Sequence, residues 1–110
     1  MNNIDAIQHE LDALTKIIVA TVPVEQIYLF GSYAYGTPHK NSDFDLYVVL
    51  KNDAPMRELE AMDAIGLAIY GNQNRAIDLL VHKKDKFLDR ATGVTTIEKV
   101  VTTKGMKIYG

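Results

Sequence analysis

Three aspartates stand in otherwise apolar segments of this 110-residue chain. Asp43 and Asp45 lie one residue apart in SDFDLYVVL, and Asp78 lies in AIDLLV. Burying a carboxylate without a partner costs free energy, so acids at such positions need an explanation. Residues two apart in a strand point to the same side, which predicts that Asp43 and Asp45 share a face. Their like charges would repel unless a cation lies between them, and oxygen ligands of this kind suit Mg²⁺ or Mn²⁺.

A Gly-Ser pair at 31–32 interrupts an apolar run upstream of the acids. Glycine lets a ligand approach the backbone closely, and Ser32 at the start of a short helix would add a hydroxyl to N–H groups that bind anions. If the strands carrying Asp45 and Asp78 are neighbours, the carboxylates could hold metal ions against a triphosphate. Gly31 and Ser32 would then bind its phosphates from the other side.

Plainer roles for the same residues remain open. The Asp-x-Asp pair could cap a strand end or face solvent, and Asp78 could be an ordinary hydrogen-bonded acid. Gly31 and Ser32 could form a simple strand-to-helix turn with the serine as N-cap. The combination favours a site, because the continuous apolar run over 46–50 predicts a core strand rather than an exposed edge.

Helices are predicted from apolar residues that recur at spacings of three and four. This periodicity covers 4–20, 54–71 and 94–105, and a shorter charged segment over 83–91 is also expected to be helical. Asp53 is expected to cap the second of these helices.

Strands are predicted from short runs rich in β-branched and aromatic residues. They cover 25–30, 42–50 and 75–81, and 106–110 is expected to add a short edge strand. The order of elements predicts an α/β (α+β) fold, in which a small mixed β-sheet is flanked by helices. The length predicts a single domain over 1–110.

Composition narrows the function classes. A net charge of −2 argues against a dedicated nucleic-acid-binding protein, whose phosphate contacts need a basic surface. The absence of cysteine excludes disulfides, thiolate catalysis and cysteine-ligated metal centres. The polar N-terminus is unlike a signal peptide, and no apolar run approaches the roughly 18–20 residues of a membrane helix. We expect a cytoplasmic protein without membrane association or strong nucleic-acid binding.

Taken together, the motifs resemble the polymerase β-like nucleotidyltransferase superfamily. The shared pattern is Gly-Ser, a gap of ten residues, Asp-hydrophobic-Asp and a third acid on a later strand, seen here in GSYAYGTPHKNSDFDLYVV and IDLLV. The length and the ending GMKIYG resemble its smallest branch, the minimal nucleotidyltransferases or MNT domains.

This resemblance implies a polymerase β-like fold, ATP as the expected donor and two Mg²⁺ ions, which Mn²⁺ could replace. By position, the catalytic residues Asp43 and Asp45 would bind both ions, and Asp78 would bind the ion that activates the acceptor hydroxyl. Gly31 and Ser32 would bind the β- and γ-phosphates.

The resemblance also implies a partner. Many minimal members pair with a separately encoded HEPN-type helical protein in toxin–antitoxin modules, and some of these antitoxins transfer AMP to a tyrosine of that partner. We therefore expect transfer of a nucleoside monophosphate to a protein hydroxyl. A second copy of this chain is a further candidate partner.

One departure from the pattern keeps alternatives open. The predicted nucleotide-binding residues are Gly31, Ser32 and Ser42. Between them, Tyr33 and Tyr35 stand where related members often carry the arginines of GSRARG. A guanidinium binds phosphate better than a phenol does. The alternatives are a non-catalytic module that neutralises a helical partner by contact, and transfer to a small-molecule hydroxyl such as that of an aminoglycoside.

Overall fold

The computed structural model describes residues 3–31, 34, 43–73 and 75–110, with side chains from residue 7 onward. Its elements, in chain order, are α1 (Asn3–Thr21), β1 (Val24–Phe30), β2 (Phe44–Leu50), α2 (Glu58–Ile69), β3 (Ile77–Lys83), α3 (Lys84–Ala91), α4 (Ile97–Lys104) and β4 (Met106–Tyr109). Within these ranges, no helix combines the length and the apolar character needed to cross a membrane.

The four strands form one mixed sheet in the order β3-β2-β1-β4. The strand β1 runs antiparallel to both β2 and β4, whereas β2 and β3 run parallel, with α2 in the connection between them. A parallel pair needs such a crossover, because its strands cannot be joined by a tight turn. The mixed sheet with flanking helices confirms the predicted fold class, and β4 lies at the predicted edge.

Helices cover both faces of the sheet. Side chains alternate along the central strand β2, so its residues pack against helices on each side. Its residues Phe44, Leu46 and Val48 are buried in one apolar cluster with residues of α1 and α2. The intervening Tyr47 and Val49 belong to a second cluster, which contains side chains of α3 and α4. The continuous apolar run in β2 therefore reflects two covered faces.

The start of α2 corrects one expectation from the sequence. Asp53 does not cap this helix, which begins at Glu58 with Arg57 as the N-cap residue. The Arg57 backbone N–H donates to Glu60 Oε1 at 3.0 Å. Asp53 instead lies inside a turn, closed by the Ala54 N–H donating to the Lys51 carbonyl at 3.1 Å. Because Ala54 is buried, the chain must fold back there before the helix can begin.

A buried acid in the first turn of α4, Glu98, is paired with side chains of neighbouring elements. Glu98 is 1% exposed, and Tyr47 donates its hydroxyl to Glu98 Oε2 at 2.7 Å. Arg90 Nε lies 3.0 Å from Oε1 in an ion pair rather than a well-directed hydrogen bond. Burial alone would raise the pKa of Glu98, but the Tyr47 hydroxyl and the Arg90 charge outweigh it and hold that pKa below its usual value.

Replacing Tyr47 with phenylalanine should destabilise the protein by about 1–3 kcal/mol, because Glu98 Oε2 loses its buried donor. Tyr28→Phe is the matched control, since the Tyr28 hydroxyl donates over a longer 3.3 Å to the part-buried Gln26 side chain. Urea unfolding of both variants measures the difference. Equal losses of stability would contradict a special role for the Tyr47–Glu98 bond.

Candidate active site

Asp45 and Asp78 lie side by side near the starts of the parallel strands β2 and β3. Each is the second residue of its strand, and the register pairs one directly with the other. Their side chains occupy the face opposite to Phe44, and a hydrogen bond joins the two carboxyl groups. The predicted convergence of these two acids therefore occurs, because the strands that carry them are neighbours.

The electrostatics of this pair favour a proton or a cation between the two groups. Burial raises the pKa of Asp45 to about 6, and the hydrogen bond and charge of Asp78 add to the rise. The charge of Asp43 raises it further. Every charged group that shifts this pKa is an acid, so the described residues supply no positive charge to offset the repulsion.

Gly31 brings the backbone of β1 directly against the Asp45 carboxyl. It follows Phe30, the residue of β1 that pairs with Asp45 across the sheet, and it has a φ of 75°. A Cβ added at Gly31 would overlap Asp45 Oδ2. The sequence predicted that the missing side chain of Gly31 leaves room for a ligand. In the structure, that room is taken by the carboxyl group of Asp45.

The other predicted site residues are placed differently. Asp43 lies just before β2 rather than within it, and its side chain is exposed. Across the described ranges, no three acidic or histidine side chains are close enough to bind a single ion. The three-carboxylate site thus stays a prediction. Ser32 and Ser42 fall outside the described residues, as do Tyr33 and Tyr35.

The Asp45–Asp78 pair fits a divalent cation. Its oxygens are ligands of the type that Mg²⁺ binds, and they approach each other closely enough to share a hydrogen bond. Charge repulsion that raises the pKa of Asp45 would be relieved by an ion in place of the proton. An ion held there could bind phosphate oxygens through its remaining coordination positions.

A supporting ion pair, which the sequence did not predict, anchors the strands that carry these acids. Arg75 binds Glu10 of α1 through two nitrogens, at 2.7 Å and 3.2 Å. Its guanidinium lies 4.6 Å from the centre of the Phe44 ring. The Phe44 N–H donates to the Ala76 carbonyl at 3.1 Å. These contacts tie α1 to the starts of β2 and β3, but the partners are 65 positions apart in the chain, so no local pattern reveals the pairing.

Comparison with known proteins agrees with the fold and the motif. The family model "Nucleotidyltransferase domain" matches residues 11–102. The protein adenylyltransferase MntA of Shewanella oneidensis is 46% identical over 37 residues, which span 33% of this chain and 27% of that protein.

Two crystal structures resemble this chain over most of its length. One, of a candidate nucleotidyltransferase from Sulfolobus solfataricus, has a TM-score of 0.62 at 20% identity and covers 91% of this chain and 77% of the other. The second, of a toxin–antitoxin with AMP-PNP, has a TM-score of 0.54 at 25% identity and covers 94% and 73%.

Gly31→Ala should cost more stability than Gly71→Ala. Both glycines have positive φ, 75° and 82°, so both substitutions carry the same backbone strain. Among the described residues, a Cβ at Gly71 would meet no atom within 4 Å, whereas a Cβ at Gly31 displaces the Asp45 carboxyl. Thermal unfolding should show a lower melting temperature for Gly31→Ala than for Gly71→Ala. Mn²⁺ titration should likewise show weaker Mn²⁺ binding by Gly31→Ala. Equal effects would show that the contact with Asp45 is unimportant.

Asp45→Asn should stabilise the protein more at pH 8 than at pH 5. The folded pKa of about 6 lies above the ordinary 3.8, so between these values the folded protein binds a proton that the unfolded chain releases. The associated stability is present at low pH and is lost as pH rises through about 6, when Asp45 becomes charged beside the Asp78 carboxylate. Asn removes that repulsion.

The measurement is the difference in melting temperature between variant and wild type across this pH range. Asp53→Asn, which removes an exposed acid after β2, is the control. Its difference in melting temperature from the wild type should not change with pH. A pH-independent effect of Asp45→Asn would contradict the repulsion.

Proposed function

The chain belongs to the nucleotidyltransferase domain family, and we propose that it transfers AMP from ATP to a hydroxyl group on a protein partner. The observation that carries this proposal is the Asp45–Asp78 pair, which concentrates negative charge that a divalent cation would neutralise. The local identity to a protein adenylyltransferase supports AMP as the transferred group.

The acids would act as ligands of the metal. Asp45 and Asp78 would hold Mg²⁺ or Mn²⁺ between their carboxylates, and Asp43 would join them as a further ligand to both ions. Bound there, the ions would lower the pKa of the acceptor hydroxyl and neutralise charge on the phosphates. The contact between Gly31 and Asp45 would fix the direction of one carboxylate, so that its oxygens need not reorganise.

The nucleotide would lie on the other side of the ions. Gly31, Ser32 and Ser42 would bind its phosphates through backbone N–H groups and hydroxyls. In the transfer, the acceptor oxygen forms a bond to the α-phosphorus as the bond from that phosphorus to pyrophosphate breaks. The acceptor proton passes to solvent or to a carboxylate, and pyrophosphate leaves with the bonding electrons. Such reactions depend mainly on positioning and charge, which this set of groups could supply.

The proposed partner is a HEPN-type helical toxin, which this chain would neutralise as an antitoxin. The likeness to a toxin–antitoxin crystal structure containing AMP-PNP supports both the pairing and the nucleotide. The partner would supply the acceptor hydroxyl.

A second candidate function is neutralisation by contact without chemistry. Tyr33 and Tyr35, in place of arginines, are the observation that favours it, because a phenol is a weaker phosphate ligand than a guanidinium. The two functions predict different behaviour for variants of the acids.

Incubation with labelled ATP, Mg²⁺ and candidate helical partners tests the enzyme. Asp45→Asn and Asp78→Asn should each reduce transfer by more than the roughly 10–100-fold typical of losing an outer-shell residue, and Asp53→Asn should not. EDTA should abolish transfer. If the wild type transfers no more label than Asp45→Asn, yet both protect cells from the partner equally, contact alone explains the function.

A further inference from the structure

The outer face of α2, which faces away from the sheet, exposes large apolar side chains. Leu59, Leu67 and Tyr70 are 69%, 80% and 82% exposed, while the opposite side of the helix is buried in the apolar cluster with α1. No charged residue occurs over 64–70. Although the first half of α2 carries three acids, large apolar side chains exposed together on one helix indicate a binding surface.

Gly66 lies in the middle of the same face. Glycine inside a helix costs stability relative to alanine, and such a residue usually has a packing reason. Among the described residues there is none, because a Cβ at Gly66 would meet no atom within 4 Å. A glycine at this position lets something outside the chain approach the helix backbone closely.

We propose that a second copy of this chain covers the α2 face, with the two α2 helices packed antiparallel around a two-fold axis. The face is self-complementary when it is read in opposite directions. With the axis near residues 64 and 65, Leu59 of one copy lies opposite Tyr70 of the other. Asp63 lies opposite Gly66 of the other copy, where the missing side chain leaves room for the carboxylate. Such reciprocal contacts define a two-fold interface.

Charge favours a second copy over a different protein. Arg57 stands at the N-terminal end of α2, where its 87% exposed side chain pairs with Glu60 at 3.2 Å, and the last turn of α2 has no basic residue. Antiparallel packing brings each Arg57 to the C-terminal end of the other helix, where the negative end of the helix dipole lacks a cation. Each acidic N-terminal half also faces the uncharged half of the other copy rather than its own equivalent.

This dimer goes beyond the proposed function and does not depend on it. The helix α2 packs on the sheet face of Phe44, whereas Asp45 and Asp78 lie on the opposite face. Pairing through α2 would therefore leave the acids of both copies open.

Sedimentation velocity over a wide concentration range tests the proposal on the full chain. The wild type should show a reversible monomer–dimer equilibrium, and Tyr70→Lys should raise its dissociation constant by about tenfold or more. Val94→Lys is the matched control, because it places the same charge on a residue that is 92% exposed in the loop between α3 and α4. It should leave the equilibrium unchanged.

Single cysteines test the orientation without background, because the chain has none of its own. In a redox buffer, a mixture of Leu59→Cys and Tyr70→Cys should form the mixed disulfide in preference to either disulfide between identical variants. Thr102→Cys on α4 is the exposed control and should show no preference for pairing with either. A wild type that remains monomeric at its highest soluble concentration would overturn the proposal, as would equal weakening by Val94→Lys or no preference for the mixed disulfide.

Discussion

The parallel register between β2 and β3 is the constraint on which the candidate site depends, because it places Asp45 directly beside Asp78. Burial raises the pKa of Asp45, and the neighbouring Asp78 carboxyl raises it further. Neighbouring elements hold the arrangement in place. The Arg75–Glu10 ion pair ties α1 to the strand starts, and Gly31 leaves room for the Asp45 carboxyl. A register shift of one residue would turn one acid into the apolar cluster on the other face.

Two acids of this fold, Glu98 and Asp45, have opposite electrostatic surroundings. Glu98 is almost completely buried, and the fold supplies it with the Tyr47 hydroxyl and the Arg90 guanidinium, which keep it ionised. Asp45 is less buried but meets two further carboxylates and no compensating cation among the described residues. The same sheet face therefore provides a positive partner for Glu98 and, among the described residues, none for Asp45.

Much of the fold could be predicted from local patterns. Helical spacing and short β-branched runs led to the correct kind of element in every predicted segment that the structure describes, and the mixed sheet was expected from their order. The predicted start of α2 was wrong, because Asp53 is of a residue type that often caps helices but lies in a turn fixed by the burial of Ala54. Local residue preference cannot anticipate a boundary that packing decides.

The sequence by itself singled out the residues that we propose carry the chemistry: three acids in or next to apolar segments, and a glycine ahead of them. It also determined the alternation along β2 that separates Asp45 from Phe44, because side-chain direction in a strand has a period of two. Only the tertiary structure decided that Asp45 meets Asp78, that Asp43 stays outside the strand, and that Glu10 pairs with Arg75. Those outcomes depend on strand register and on contacts between residues far apart in the chain, which no local pattern encodes.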